Sequence, residues 1–259
     1  AQAPAAVRAG EPDGLAGVAG ATAPPEPDPA GRPGQGLRIL LVDHQDSFVH
    51  TLASYFRQEG AEVMTLRAGF PPAALDDYGP DLVVLSPGPG QPTDFACDAL
   101  LAELDTRGLP VFGVCLGLQA MVEHAGGELG LLTEPAHGKP GRVLRTTEAA
   151  GGLLDGLPDE FTGGGYHSLH AVPGQVKGGF AVTAVMPDGV VMAIEDEQAG
   201  RWGVQFHPES ILSASGRAGH QVIANLLRLC RARASAARAS AAGAPVAGAP
   251  VAGVGRPPA

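Results

Sequence analysis

The segment Gly113-Val114-Cys115-Leu116-Gly117 is the part of this chain best suited to chemistry. An apolar run ends there, a tight turn follows, and a helical pattern begins. A glycine on each side leaves room for a strained turn that pushes one side chain outward. This is the cysteine counterpart of the G-x-S-x-G nucleophile elbow. The amino end of a helix favours a thiolate over a thiol. The backbone N–H of Leu116 would point toward the reacting centre, where it can stabilise an oxyanion. The competing reading of Cys115 is a small buried core residue, and the pattern alone leaves both open.

A nucleophilic cysteine needs a base, and the base needs an orienting group. His207-Pro208-Glu209 follows directly on the apolar run WGVQF, at the carboxyl end of a strand, where open α/β sheets place their sites. His207 can take the thiol proton and return it to a departing amine, while Glu209 holds the imidazole tautomer. Histidine and glutamate two apart also begin a zinc-deaminase signature, but that needs a following P-C-x-x-C. Only Cys230 lies downstream, so no metal site is expected. Cys97 and Cys230 lie on helical stretches without such a turn and read as core residues.

Ser86-Pro87-Gly88-Pro89-Gly90 gives a rigid loop with an open backbone after another buried run. Its N–H groups can approach a ligand or join an oxyanion hole. It is neither a P-loop nor a dinucleotide fingerprint, because the required spacings are absent. Gln119 falls one turn beyond Cys115, on the nucleophile's side of the helix. The YHSLH run at 166–170 reads, on pattern alone, as a half-buried strand.

The elements that must hold these residues alternate in type. Apolar runs over 37–43, 61–67, 81–88 and 110–117 read as buried strands. Helical spacing covers 47–59, 98–107 and 118–125, with Asp46 or Ser47 as the cap of the first. Such alternation predicts a parallel sheet with helices on both faces. The second half is richer in strands, at 141–146, 167–172, 181–186, 190–195 and 202–206, with a hairpin turn at Pro187-Asp188-Gly189. A closing helix is expected over 216–231. The fold class is therefore α/β: an open, mostly parallel sheet flanked by helices, with additional antiparallel strands in the second half.

Residues 1–36 and 232–259 are rich in Ala, Pro and Gly and show no period. They are expected to be a disordered linker and a disordered tail around one domain over 37–231. The net charge of −10 argues against nucleic acid as a partner, which wants a basic face, and against an anionic membrane surface. No apolar run approaches the ~20 residues that span a bilayer. Three cysteines without a CxxC pair suit a reducing cytoplasm rather than a disulfide framework.

Taken in order, LLVDHQDSF, VVLSPGPGQP, VFGVCLGLQA, HGKPGRV, YHSLHA and WGVQFHPES resemble the class I (triad) glutamine amidotransferases. The resemblance covers most of 37–213 and is closest to the anthranilate synthase glutaminase component, through DHQDSF and HGK at 137–139. It implies Cys115 as nucleophile with His207 and Glu209 completing a triad. It implies Gly88, Pro89 and Gly90 as the glutamine-binding loop, with Gly90 and Leu116 donating to the oxyanion. Gln119, Ser168 and Leu169 follow as further glutamine contacts. The implied substrate is L-glutamine, the implied partner a chorismate-using synthase domain or subunit, and no cofactor is implied in this domain. Two positions depart from the family pattern: Thr51, often Asn, and Gly165, often Arg. The linker-like start and missing Met add the expectation of a C-terminal part of a fused synthase. Aminodeoxychorismate or phenazine-type acceptors, a Cys–His hydrolase of peptide or γ-glutamyl bonds, and a non-catalytic regulatory domain are the alternatives.

Overall fold

The computed structural model describes residues 31–149 and 152–242. In chain order the elements are β1 (Arg38–Asp43), α1 (Val49–Gln58), β2 (Glu62–Arg67), α2 (Ala73–Tyr78), β3 (Leu82–Leu85), α3 (Cys97–Thr106), β4 (Val111–Val114), α4 (Leu116–His124), β5 (Gly130–Arg145), β6 (Glu160–His170), β7 (Ala181–Val185), β8 (Val191–Asp196), β9 (Arg201–Val204) and α5 (Ala218–Ala242). The strands form one sheet in the order β2-β1-β3-β4-β9-β8-β7-β5-β6. From β2 to β9 every pairing is parallel. From β9 to β6 every pairing is antiparallel. The expected α/β class, with helices on the sheet and antiparallel strands added by the second half, is what the chain adopts.

The parallel strands are continuous apolar runs because both of their faces are covered. In β1, Ile39 and Leu41 face a layer that includes Leu52 and Phe56 of α1 and Val222 and Leu226 of α5. Leu40 and Val42 face the opposite layer, with Leu101 and Leu104 of α3 and Leu118 of α4. Helix α1 buries Val49, Leu52, Ala53 and Phe56, the spacing of one helical face.

Several boundaries differ from the sequence expectations. Helix α1 starts at Val49 with Phe48 at its N-cap. Asp46 therefore caps the preceding turn instead, its carboxylate accepting from the Phe48 N–H at 2.7 Å. Helix α2 was not expected. Its six residues are too few to show a period. Strands β5 and β6 begin well before the predicted 141 and 167. Pro135, Gly138 and Pro140 break the alternation of β5, and its register against β6 shifts twice. The turn at Pro187-Asp188-Gly189 forms as expected, with Gly189 at φ 90° and Met186 N–H bonded to Val190 O at 2.8 Å.

At the ends, residues 1–30 of the expected linker lie outside the described residues. Its last stretch is tied down: Gly34 N–H bonds to Glu59 O at 2.8 Å, and Arg231 reaches Pro33 O and Gln35 O. The closing helix does not stop near Arg231 but continues to Ala242. The first part of the expected tail is thus helical, and 243–259 lie outside the described residues. Among the described residues no helix is long and apolar enough to cross a membrane.

Candidate active site

Cys115 stands between β4 and α4 at φ 52°, ψ −100°, a backbone conformation that side chains rarely adopt. The flanking glycines explain how the turn closes. A Cβ on Gly113 would lie 2.5 Å from Gly117 O, and one on Gly117 would lie 2.5 Å from Leu85 O. Any other residue at either place would force strand and helix apart. The Cys115 N–H bonds to Val204 O at 2.8 Å, which ties the elbow to β9. The residue is 4% exposed.

Strand β9 leads through Gln205 and Phe206 to His207. Two glycines in β6 let this segment lie close: a Cβ on Gly163 would sit 2.8 Å from Phe206 Cβ, and one on Gly164 would sit 3.0 Å from Ser210 Oγ. His207 N–H donates to Gly164 O at 2.9 Å, and the Ser213 hydroxyl donates to His207 O at 2.6 Å. His207 Nδ1 lies 2.9 Å from Glu209 Oε1. A carboxylate accepts, so the proton sits on Nδ1 and Nε2 is left for chemistry. Nε2 is buried and makes no hydrogen bond of good geometry to any described residue. Burial alone pulls the His207 pKa down, but the nearby Cys115 sulfur and Glu209 carboxylate outweigh it and hold it up at about 10. The imidazolium is thereby favoured at neutral pH. Phe48 and Tyr166 pack their rings on His207 with centroids 5.3 and 4.8 Å away.

The proline–glycine loop is anchored by His44. Its N–H reaches Ser86 Oγ at 3.0 Å, and its Nδ1 lies 3.1 Å from Ser86 O. Burial lowers the His44 pKa to about 4, so the ring is neutral and its Nδ1–H donates to that carbonyl. Gly88 touches both segments that matter: a Cβ there would be 2.7 Å from His44 Cβ and 3.0 Å from Leu116 Cδ1. Pro89 and Gly90 are exposed, and Gly90 takes φ 73°, which favours glycine. The loop and the amino end of α4, carrying Leu116, are therefore neighbours.

Gln119 Nε2 donates to Leu169 O at 3.0 Å and to Gln205 Oε1 at 3.3 Å. Gln205 Nε2 lies 3.5 Å from Cys115 Sγ. Ser168 is half-buried, its Oγ 3.5 Å from His137 Nε2. A chain of hydrogen bonds thus joins Cys115, Gln205, Gln119 and the Leu169 carbonyl, and the His207–Glu209 pair stands beside Cys115. Gln205, His44, Phe48 and Tyr166 received no role from the sequence. A glutamine inside the otherwise apolar run WGVQF was the available signal for the first. Thr51 is exposed on α1 and Gly165 pairs with Lys139 inside the β5–β6 ladder, so neither departure reaches this cluster.

Cys97 and Cys230 are buried, with burial pushing both thiols up to about 12. Among the described residues no group of three or more His, Cys, Asp or Glu is arranged to hold a metal ion. A cavity of about 200 Å³ lies elsewhere, bordered by His44, Phe70, Leu75, Phe95 and Leu100 and not by the cluster.

The family model for class-I glutamine amidotransferases matches residues 40–228. An anthranilate synthase of Azospirillum brasilense is 51% identical over 215 residues, covering 83% of this chain and 29% of that protein. The chain thus spans less than a third of that relative. An anthranilate synthase component 2 of Mycobacterium tuberculosis is 38% identical over 200 residues, covering 75% of this chain and 83% of that protein. A solved glutamine amidotransferase of Thermotoga maritima covers 76% of this chain and 97% of its own at a TM-score of 0.57 and 16% identity, a likeness of fold alone. With the elbow, the histidine segment and the glycine loop all inside the matched span, the chain belongs to the class-I glutamine amidotransferase family.

Proposed function

We propose that Cys115 is the nucleophile of a glutaminase that hydrolyses L-glutamine and supplies ammonia to a chorismate-using synthase, for the making of anthranilate in tryptophan biosynthesis. The reading rests on one observation: a cysteine at a strained strand–helix turn lies beside a buried histidine whose far nitrogen is held by a carboxylate. The resemblance to anthranilate synthases supports the acceptor.

The Cys115 thiolate forms a bond to the side-chain amide carbon of glutamine, and the carbonyl electron pair moves to oxygen. Backbone N–H groups of Gly90 and Leu116 receive this oxyanion; a single such donor is worth ~2.7–4 kcal/mol in the transition state. The C–N bond breaks as His207 Nε2 delivers its proton, and ammonia leaves a γ-glutamyl thioester. Water then gives a proton to the neutral imidazole as its oxygen bonds the same carbon. The C–S bond breaks, and glutamate and the thiolate are released. Acid–base help of this kind contributes roughly 10²–10⁴ in rate. Gly88, Pro89, Gln119, Ser168 and Leu169 hold the substrate. These steps use only side chains and backbone amides of the chain and call on no cofactor. A reducing cytoplasm suits the free thiol.

The test is Cys115→Ser, assayed with the partner synthase. Glutamine-dependent product formation is expected to disappear while synthesis from ammonium salts continues. Loss of both activities would contradict separate sites for glutamine and acceptor.

A further inference from the structure

The segment that carries His207 presents another polar side chain on the same side. Gln205, His207 and Glu209 alternate with Phe206 and Pro208. Gln205 is 0% exposed, and a buried primary amide is costly unless its atoms are hydrogen-bonded. Its Oε1 accepts from Gln119 at 3.3 Å, and its Nε2 lies 3.5 Å from Cys115 Sγ, a length suited to an acceptor as large as sulfur.

The direction of this contact is fixed by a group that can only accept. The Leu169 carbonyl lies 3.0 Å from Gln119 Nε2, so Gln119 must present its NH₂ at that end. The second hydrogen of that NH₂ faces Gln205 and requires oxygen there. The Gln205 NH₂ is consequently turned toward the sulfur. Reversing Gln119 would set its carbonyl against that of Leu169, and reversing Gln205 would set two NH₂ groups against each other. Sulfur accepts a hydrogen bond far better as a thiolate than as a thiol, because charge-assisted bonds are the stronger ones. His207 Nε2 makes no hydrogen bond to the sulfur among the described residues, whereas the Gln205 N–H reaches it and gives the contact a direction.

We infer that Gln205 is a catalytic residue: its side-chain N–H donates to the Cys115 sulfur, favours the thiolate and aims its attack, with Gln119 and the Leu169 carbonyl holding the amide in that sense. This rests on Cys115 being the nucleophile.

The test follows alkylation of Cys115 by iodoacetamide in the full 259-residue chain as a function of pH, read by peptide mass spectrometry, together with glutaminase kcat and KM. Gln205→Leu removes the donor at similar volume. Gln205→Glu keeps the shape and replaces the donor by an acceptor. In Gln205→Leu the acid limb of the profile is expected to move up by about one pH unit, so that labelling below the midpoint falls about tenfold. In Gln205→Glu it moves further. In both, kcat falls more than KM rises. Profiles that superpose on the unmodified chain in folded variants overturn the inference. An unmodified chain that is not alkylated at Cys115 near neutral pH overturns the nucleophile reading instead. Should the variants at 205 not fold, Gln119→Leu decides, since it leaves Gln205 in place without the group that orients it. A shift in the same direction supports the relay, and an unshifted profile overturns it.

Discussion

At the scale of the residue, Cys115 is held in a conformation of the kind that costs ~1–3 kcal/mol and persists only where its surroundings dictate it. Gly117 is one of those surroundings. A Cβ there would lie 2.5 Å from Leu85 O and 2.7 Å from Leu85 Cβ, and β3 cannot give way because Leu85 is fully buried. Gly117→Ala is therefore expected to cost ~1–3 kcal/mol as an overpacked site and to lower kcat by displacing the sulfur. Urea unfolding and steady-state glutaminase assays check both, and an unchanged midpoint with unchanged kcat would show that space is not what this glycine provides. The elbow was legible because strand, turn and glycines adjoin in sequence. Gln205 was not, because its partner sulfur is 90 positions away and a lone glutamine in an apolar run does not reveal what it faces.

At the scale of the element, α3 joins the two segments that carry the nucleophile and the base. His124, in the last turn of α4, lies 2.6 Å from Asp98 and 2.8 Å from Asp105 of α3. Asp105 also pairs with Arg201 at the start of β9. Burial works against the charged imidazole, but the two carboxylates outweigh it and raise the His124 pKa. The clamp's stabilisation is thus fully present below the ordinary imidazole range and fades as pH rises through the raised folded value. His124→Gln is expected to destabilise the chain by ~0.5 kcal/mol in mild acid, kept small by solvent at these exposed carboxylates. The difference should shrink in alkali, as urea titrations at the two pH values would record. A loss that grows with pH would assign His124 a role other than this ion pair. None of this was visible in the sequence, where α3 and α4 showed only their apolar spacing. Strands β1, β3 and β4 were visible, since burial on both faces leaves an unbroken apolar run. The first halves of β5 and β6 were hidden by the prolines and glycines that bend them and let the His207 segment approach.

At the scale of the whole molecule, the three cysteines sample three environments. Cys97 belongs to the layer of α2, α3 and α4, with His44 Nε2 3.7 Å from its sulfur. Cys230 belongs to the layer of α1 and α5 on the other face of the sheet. Both thiols are pushed up to about 12 by burial, and only the thiolate alkylates readily. Native chain treated with iodoacetamide near neutral pH should therefore label at Cys115 alone. Cys97 and Cys230 should become reactive only on unfolding. Because the same strands supply side chains to both layers, as Ile39 and Leu40 of β1 do, neither layer can open without stripping the sheet that the other packs on. Pulsed labelling across a urea gradient is expected to expose Cys97 and Cys230 at the same denaturant concentration, in one cooperative transition. Exposure of Cys97 well before Cys230 would mean that the α3 layer, and with it the support of the elbow helix, opens on its own.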